Sequence, residues 1–221
     1  MVEVSASLLS VENIESTKLF LDLETAKIDY FHIDVMDGKF VEKNTLNQMY
    51  ENASSIALVS SIGMDVHLMV KDVDKYVEEY LPFNPKIITF HIEAVKDESD
   101  ILKTINKIKS SGSRVGIAIN PDTDIEKIKQ YLDKIHVAFV MTVYPGKGGQ
   151  KLIPETLDKV SKLKKYITEN DLDTEIEVDG GINDLTYKDT IDAGADIIAV
   201  GSYLVFSDNF SETVKKIKTN D

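Results

Sequence analysis

The sequence predicts an α/β protein folded as a (β/α)8 TIM barrel. Short Val/Ile-rich runs alternate with longer, helically spaced segments from end to end, the pattern of βα units and a parallel sheet. The alternation completes eight rounds in 221 residues, a length that suits closure into a barrel better than an open doubly wound sheet. No G-x-G-x-x-G turn follows the first run, which argues against a dinucleotide-binding sheet.

Strands are expected at residues 4–9, 30–35, 64–69, 86–91, 115–119, 137–143, 175–178 and 197–200. They show little polar alternation, as strands covered on both faces should. Helices are expected at residues 11–27, 46–60, 73–80, 97–110, 124–134, 154–169, 185–193 and 209–219. No Pro/Ser/Gly-rich linker divides the chain, so residues 1–221 are expected to form one domain.

Hydrophobic residues make up 43% of the chain, enough for a sizeable core. The 38 acidic and 25 basic residues give a formal net charge of −13, which repels phosphate backbones and makes nucleic acid an unexpected partner. The absence of Cys excludes a disulfide framework and a Cys-based zinc site. No apolar run reaches the ~20 residues of a membrane span. Met1-Val2-Glu3-Val4 opens no signal-peptide pattern, and a cytoplasmic protein is expected.

In barrels of this kind the active site lies at the C-terminal strand ends, so polar residues there are candidates. The second strand carries His32, Asp34 and Met36 at two-residue spacing, hence on one face. An imidazole beside a carboxylate makes half of a divalent-metal site, while Asp37-Gly38 suits turn chemistry. The third strand ends at His67-Leu68-Met69, and the fourth at His91-Ile92-Glu93. Any one of these histidines alone would suit a hydrogen-bonded core position. Three of the four in the chain, however, end consecutive strands. His136 precedes the sixth strand and reads as structural. The seventh strand ends at Asp179-Gly180-Gly181, the eighth at Gly201-Ser202, and the loop after the sixth holds Gly146, Lys147, Gly148 and Gly149. Each glycine group alone suits a tight turn; together they match the barrel phosphate site.

These residues resemble the ribulose-phosphate 3-epimerase family over nearly the whole chain. The specific stretches are Ala6-Ser7-Leu8-Leu9-Ser10, His32-Ile33-Asp34-Val35-Met36-Asp37-Gly38-Lys39-Phe40-Val41, Asp65-Val66-His67-Leu68-Met69-Val70, His91-Ile92-Glu93-Ala94, Asn120-Pro121-Asp122-Thr123, Met141-Thr142-Val143, and Val178-Asp179-Gly180-Gly181-Ile182. The resemblance implies a metal held by His32, Asp34, His67 and Asp179, with Asp34 and Asp179 also exchanging the proton. It implies substrate contacts from Ser7 and His67, with Met36, Met69 and Met141 beside the reacting carbons. Phosphate is then held by Gly146, Lys147, Gly148, Gly149, Gly180, Gly181, Gly201 and Ser202. The implied fold is the ribulose-phosphate-binding type of barrel, and relatives are usually oligomers. Glu42-Lys43-Asn44, Tyr144 and Lys147 depart from the family pattern. They border the substrate mouth and leave the metal and acid–base residues intact.

The implied reaction inverts C3 of a ketose phosphate through an enediolate that a divalent metal stabilises. The expected substrate pair is D-ribulose 5-phosphate and D-xylulose 5-phosphate, in the pentose phosphate pathway. Epimerisation of D-allulose 6-phosphate and a non-catalytic phosphosugar-binding barrel stand as alternatives. Two imidazoles and two carboxylates suit Zn²⁺, Fe²⁺, Mn²⁺ or Co²⁺.

Overall fold

The computed structural model describes residues 1–11 and 16–220. Eight parallel strands follow in order: β1 (Glu3–Ser7), β2 (Tyr30–Met36), β3 (Gly63–Met69), β4 (Ile87–His91), β5 (Arg114–Ile119), β6 (Val137–Met141), β7 (Glu175–Asp179) and β8 (Ile197–Val200). Each pairs with its neighbours in sequence and β8 pairs back onto β1, closing the expected barrel. The α-helices are α1 (Ser16–Thr25), α2 (Leu46–Val59), α3 (Val73–Tyr80), α4 (Glu98–Ser110), α5 (Glu126–Lys129), α6 (Glu155–Glu169), α7 (Tyr187–Asp192), α8 (Ser202–Val205) and α9 (Phe210–Thr219). Among the described residues no helix is long and apolar enough to cross a membrane.

Strand alternation sorts the side chains into two environments. Phe31, Ile33, Val35, Val66, Leu68, Ile88 and Phe90 are fully buried and belong to the large apolar layer that the helices cover. The barrel interior is split. Ile87, Ala118, Val137, Phe139, Met141 and Ile197 fill an apolar side. Ser5, Ser7, His32, Asp34, Asp65, His67, Thr89, His91 and Glu177 are buried as well, and supply a polar side. Buried charge is costly unless paired, so this concentration marks the place where stability has yielded to chemistry.

Several boundaries differ from expectation, each for a local reason. β1 ends at Ser7 rather than at residue 9 because the chain turns there: Leu9 N–H reaches Ser7 Oγ at 3.4 Å and Val11 N–H bonds Leu8 O at 3.0 Å. The helix expected over residues 11–27 is seen as α1, while residues 12–15 lie outside the described residues. Lys27, at φ 65°, closes it in the left-handed region. β6 stops at Met141 because the next hydroxyl, Thr142 Oγ1, bonds the carbonyls of Asp179 (3.0 Å) and Gly180 (2.5 Å). The helix expected over residues 124–134 breaks into α5 and a 3₁₀ turn, Leu132–Lys134. Its buried residues Ile125, Ile128 and Tyr131 recur every three positions, a spacing that suits 3₁₀ geometry. The extra helix α8 is four residues long, too short to leave a periodic signal.

Candidate active site

Register assembles the site. His32 pairs with Asp65 and Asp34 with His67 across β2 and β3. Glu177 and Asp179, two apart on β7, face them from the other side of the interior. The result is two stacked layers, one of His32, Asp65 and Glu177, the other of Asp34, His67 and Asp179.

In the upper layer Asp34 Oδ1 lies 3.4 Å from both His32 Nε2 and His67 Nδ1, and His67 Nδ1 is 3.8 Å from Asp179 Oδ2. One donor atom from each of His32, Asp34, His67 and Asp179 falls within 4.8 Å of the others. These are the four residues expected to ligate a metal, brought together from three strands. His32 Nε2 and His67 Nδ1 are buried without a hydrogen-bond partner. Buried ring nitrogens are normally satisfied. Two orphans aimed at two carboxylates fit a divalent cation, which would take a lone pair from each.

Beneath, His32 Nδ1 donates to Asp65 Oδ2 at 2.5 Å, and Ser5 Oγ donates to the same oxygen at 2.8 Å. That bond leaves Nε2 as the ring's free end, and a carboxylate behind a ligating histidine raises its basicity. Glu177 Oε1 stands 3.7 Å from the same Nδ1. Asp65 and Glu177 escaped the sequence reading as functional residues. The available signal was a charged residue two positions before His67 and before Asp179, on a strand otherwise apolar.

The charges in the two layers push one another apart. Burial disfavours charge on His32, but Asp65 and Asp34 overcome it and raise its pKa well above the ordinary value. Burial also opposes ionisation of Asp34, yet His32 and His67 hold its carboxyl well below the usual range. Burial and the Asp34 charge push Asp179 up to about 7. Burial, then Asp65, pushes Glu177 well above its usual value. Burial lowers His67 to about 4. Carboxylates crowded this closely retain protons unless a positive charge is supplied.

The cluster opens onto a cleft of about 150 Å³. Ser7, Asp34, Met36, Met69, Met141 and Asp179 line it, together with Gly146, Lys147, Gly148, Gly149, Gly180, Gly181, Gly201 and Ser202. His32 and His67 are fully buried and do not form its wall; His67 faces the carboxylates. Ser7 Oγ donates to Asp34 Oδ2 at 2.8 Å, fixing the carboxylate's rotation. Thr45, also unsuspected from sequence, donates to Asp34 O at 2.6 Å and accepts from Met36 N–H at 2.9 Å, clamping the end of β2. Asp37 is turn chemistry as expected: its carboxylate accepts from the N–H groups of Lys39, Phe40 and Lys71. His136 is structural, accepting from Val115 N–H at 3.1 Å.

The model of the ribulose-phosphate 3 epimerase family matches residues 3–205. The chain belongs to this family. It is 38% identical over 218 residues to the ribulose-phosphate 3-epimerase of Methanocaldococcus jannaschii, covering 99% of this chain and 90% of that protein. It is 33% identical to the Bacillus subtilis ribulose-phosphate 3-epimerase, covering 99% of each. Among solved structures, the 3-hexulose-6-phosphate synthase of Salmonella typhimurium superimposes with a TM-score of 0.70 at 16% identity, over 99% of this chain and 97% of that one; at that identity the likeness is one of fold. Membership in the epimerase family agrees with the resemblance carried by the His32–Val41, Asp65–Val70 and Val178–Ile182 stretches, which supply His32, Asp34, His67 and Asp179 to the cluster and Gly180 and Gly181 to the cleft beside it.

Proposed function

We propose that this chain inverts C3 of a ketose phosphate, interconverting D-ribulose 5-phosphate and D-xylulose 5-phosphate. The observation that carries the reading is the convergence of Asp34 and Asp179, from β2 and β7, on the floor of one cleft and around two unpartnered histidine nitrogens. His32, Asp34, His67 and Asp179 would hold one divalent cation of the Zn²⁺, Fe²⁺, Mn²⁺ or Co²⁺ type. When bound, that ion supplies Lewis-acid stabilisation to the charge that develops on the substrate's oxygens.

Epimerisation needs a base on one face of a planar carbanionic carbon and an acid on the other. Asp34 takes the proton from C3, and Asp179 returns one to the opposite face; in reverse the roles exchange. Ser7 keeps the Asp34 oxygens oriented. Met36, Met69 and Met141 are almost fully buried and give the reacting carbons a soft, water-excluding wall. The backbone N–H groups of the glycine segments, with Ser202, supply the phosphate site that barrels build after their last strands. Gly180 and Gly181 serve this role because no side chain fits: a Cβ there would lie 2.4 Å from Val143 Cγ2 and 2.3 Å from Leu152 N respectively.

Turnover of ribulose 5-phosphate in deuterium oxide tests the proposal, with allulose 6-phosphate run in parallel. One solvent deuteron should enter C3, and the five-carbon substrate should react with the higher kcat/KM. Asp34→Asn and Asp179→Asn should each lose more than the ~10²–10⁴-fold typical of one acid–base group, because each also surrenders a ligand. Near-normal turnover by either variant would end the two-aspartate scheme. Faster reaction of the six-carbon sugar would move the substrate assignment but keep the chemistry.

A further inference from the structure

A hydrogen-bonded chain runs away from the cleft behind His67. His67 Nε2 meets His91 Nε2 at 2.8 Å, and His91 Nδ1 meets Glu93 Oε2 at 3.2 Å. The two imidazole planes are 22° apart, with centroids 5.0 Å apart. The centroids are farther apart than the facing nitrogens by roughly a ring's width. The rings therefore meet edge to edge, nearly coplanar, rather than face to face, and the N–H and lone pair lie in line. Both histidines are fully buried. Glu93 is pinned from the far side, where its Oε1 accepts from Asn120 N–H at 2.8 Å and from the Thr123 hydroxyl. Phe40 packs against His91 at 4.9 Å between ring centroids and holds it in place.

A bond between two imidazole nitrogens needs one donor and one acceptor. With neutral rings, two directions are open along the chain. In one, His67 Nε2–H donates to His91 and His91 Nδ1–H donates to Glu93. In the other, His91 Nε2–H donates to His67, and the His91 Nδ1 lone pair then faces an anion. Glu93 favours the first direction and repels the second. The first direction also places the proton of His67 on Nε2, so that its Nδ1 presents a bare lone pair to Asp34 and Asp179.

We infer that His91 and Glu93 are positioning residues that select which nitrogen of His67 is available as a metal ligand. This rests on the reading of the four-residue cluster as a cation site. Neither residue touches the cleft; both would act through His67, as the outer hydrogen-bond partners of metal-bound histidines generally do.

The experiment uses Zn²⁺ as the probe on the full chain. Zn²⁺ affinity, read by competition with a chromophoric chelator, should fall about 10–100-fold in Glu93→Gln. Its amide can turn an N–H₂ group toward His91 and reverse the chain. Thr123→Val removes a different partner of the same carboxylate and should leave affinity within about twofold, the control for a purely structural role of Glu93. Histidine ¹⁵N NMR of the Zn²⁺-loaded wild type should show neutral His91 with its proton on Nδ1. An imidazolium, or a proton on Nε2, would overturn the inference, and this measurement decides alone if Glu93→Gln does not fold. Equal affinity in Glu93→Gln and wild type would also overturn it while leaving the cation site standing. A wild type that binds no Zn²⁺ would remove the cation site and the inference together.

Discussion

The protons held by His32 and Asp179 set how the site responds to pH. His32 is raised by Asp65 and Asp34 against the opposing effect of burial, and Asp179 stands at about 7 through burial and the Asp34 charge. A cation taking their lone pairs must expel both protons. Affinity should therefore rise with pH throughout the neutral range, and more steeply below 7, where two protons leave, than above it, where only His32 gives one up. His67, lowered to about 4, contributes no competing proton there. The same pKa values fix the sign for folding. Both groups bind protons more tightly folded than unfolded, so in the metal-free fold the Asp179 contribution is lost as pH climbs from about 4 to 7 and the His32 contribution as pH climbs above 6.5. His67, lowered to about 4, offsets Asp179 over about 4 to 6.5. Thermal unfolding with and without Zn²⁺ from pH 5.5 to 9 should show a stabilisation by the ion that grows with pH. A constant or shrinking increment would contradict the assignment of these protons.

Among the loops, two glycines separate backbone conformation from crowding. Gly149 and Gly181 both adopt φ +70°, but a Cβ at Gly149 meets nothing within 4 Å, whereas one at Gly181 overlaps Leu152 N at 2.3 Å. Gly149→Ala should cost about 1–2 kcal/mol, the left-handed term alone. Gly181→Ala should cost more and raise KM for the phosphate ester, since relief requires moving β7's exit loop. Equal losses in denaturant titration would mean that the loop gives way freely. Legibility followed the same division. The strands could be read because Val/Ile runs covered on both faces leave an unmistakable signal. His32, Asp34, His67 and Asp179 could be read as candidates because strand-end position is a one-dimensional fact, and as one ligand set only through the family resemblance. Asp65, Glu177 and the His67–His91–Glu93 chain could not be read as a unit. Their meaning lies in register between strands and in ring orientation, neither of which one segment encodes. α5 and α8 were missed in form because a helix of one turn has no period to detect.

For the molecule as a whole, net charge and local charge oppose each other. A chain of −13 repels an anionic sugar phosphate, yet Lys147 lines the cleft, and in the larger groove adjoining it Lys39, Lys43 and Lys147 face Glu42 and Asp122, leaving the mouth slightly basic. Distance decides between them. The Debye length is about 8 Å at 0.15 M salt and about 30 Å at 0.01 M. At low ionic strength the substrate senses the whole acidic surface, while near physiological salt it senses chiefly the mouth. Wild-type KM should therefore fall as salt is raised from 0.01 to about 0.15 M, the reverse of an enzyme whose net charge steers substrate inward. Lys147→Gln should raise KM about fivefold at 0.15 M, from a contact of about 1 kcal/mol at 4 Å in a water-like dielectric, and leave kcat unchanged because no proton moves through it. Above roughly 0.5 M the two proteins should converge as screening shortens further. If KM is the same for both at every ionic strength, Lys147 points to solvent, and the phosphate is held by backbone N–H groups and Ser202 alone.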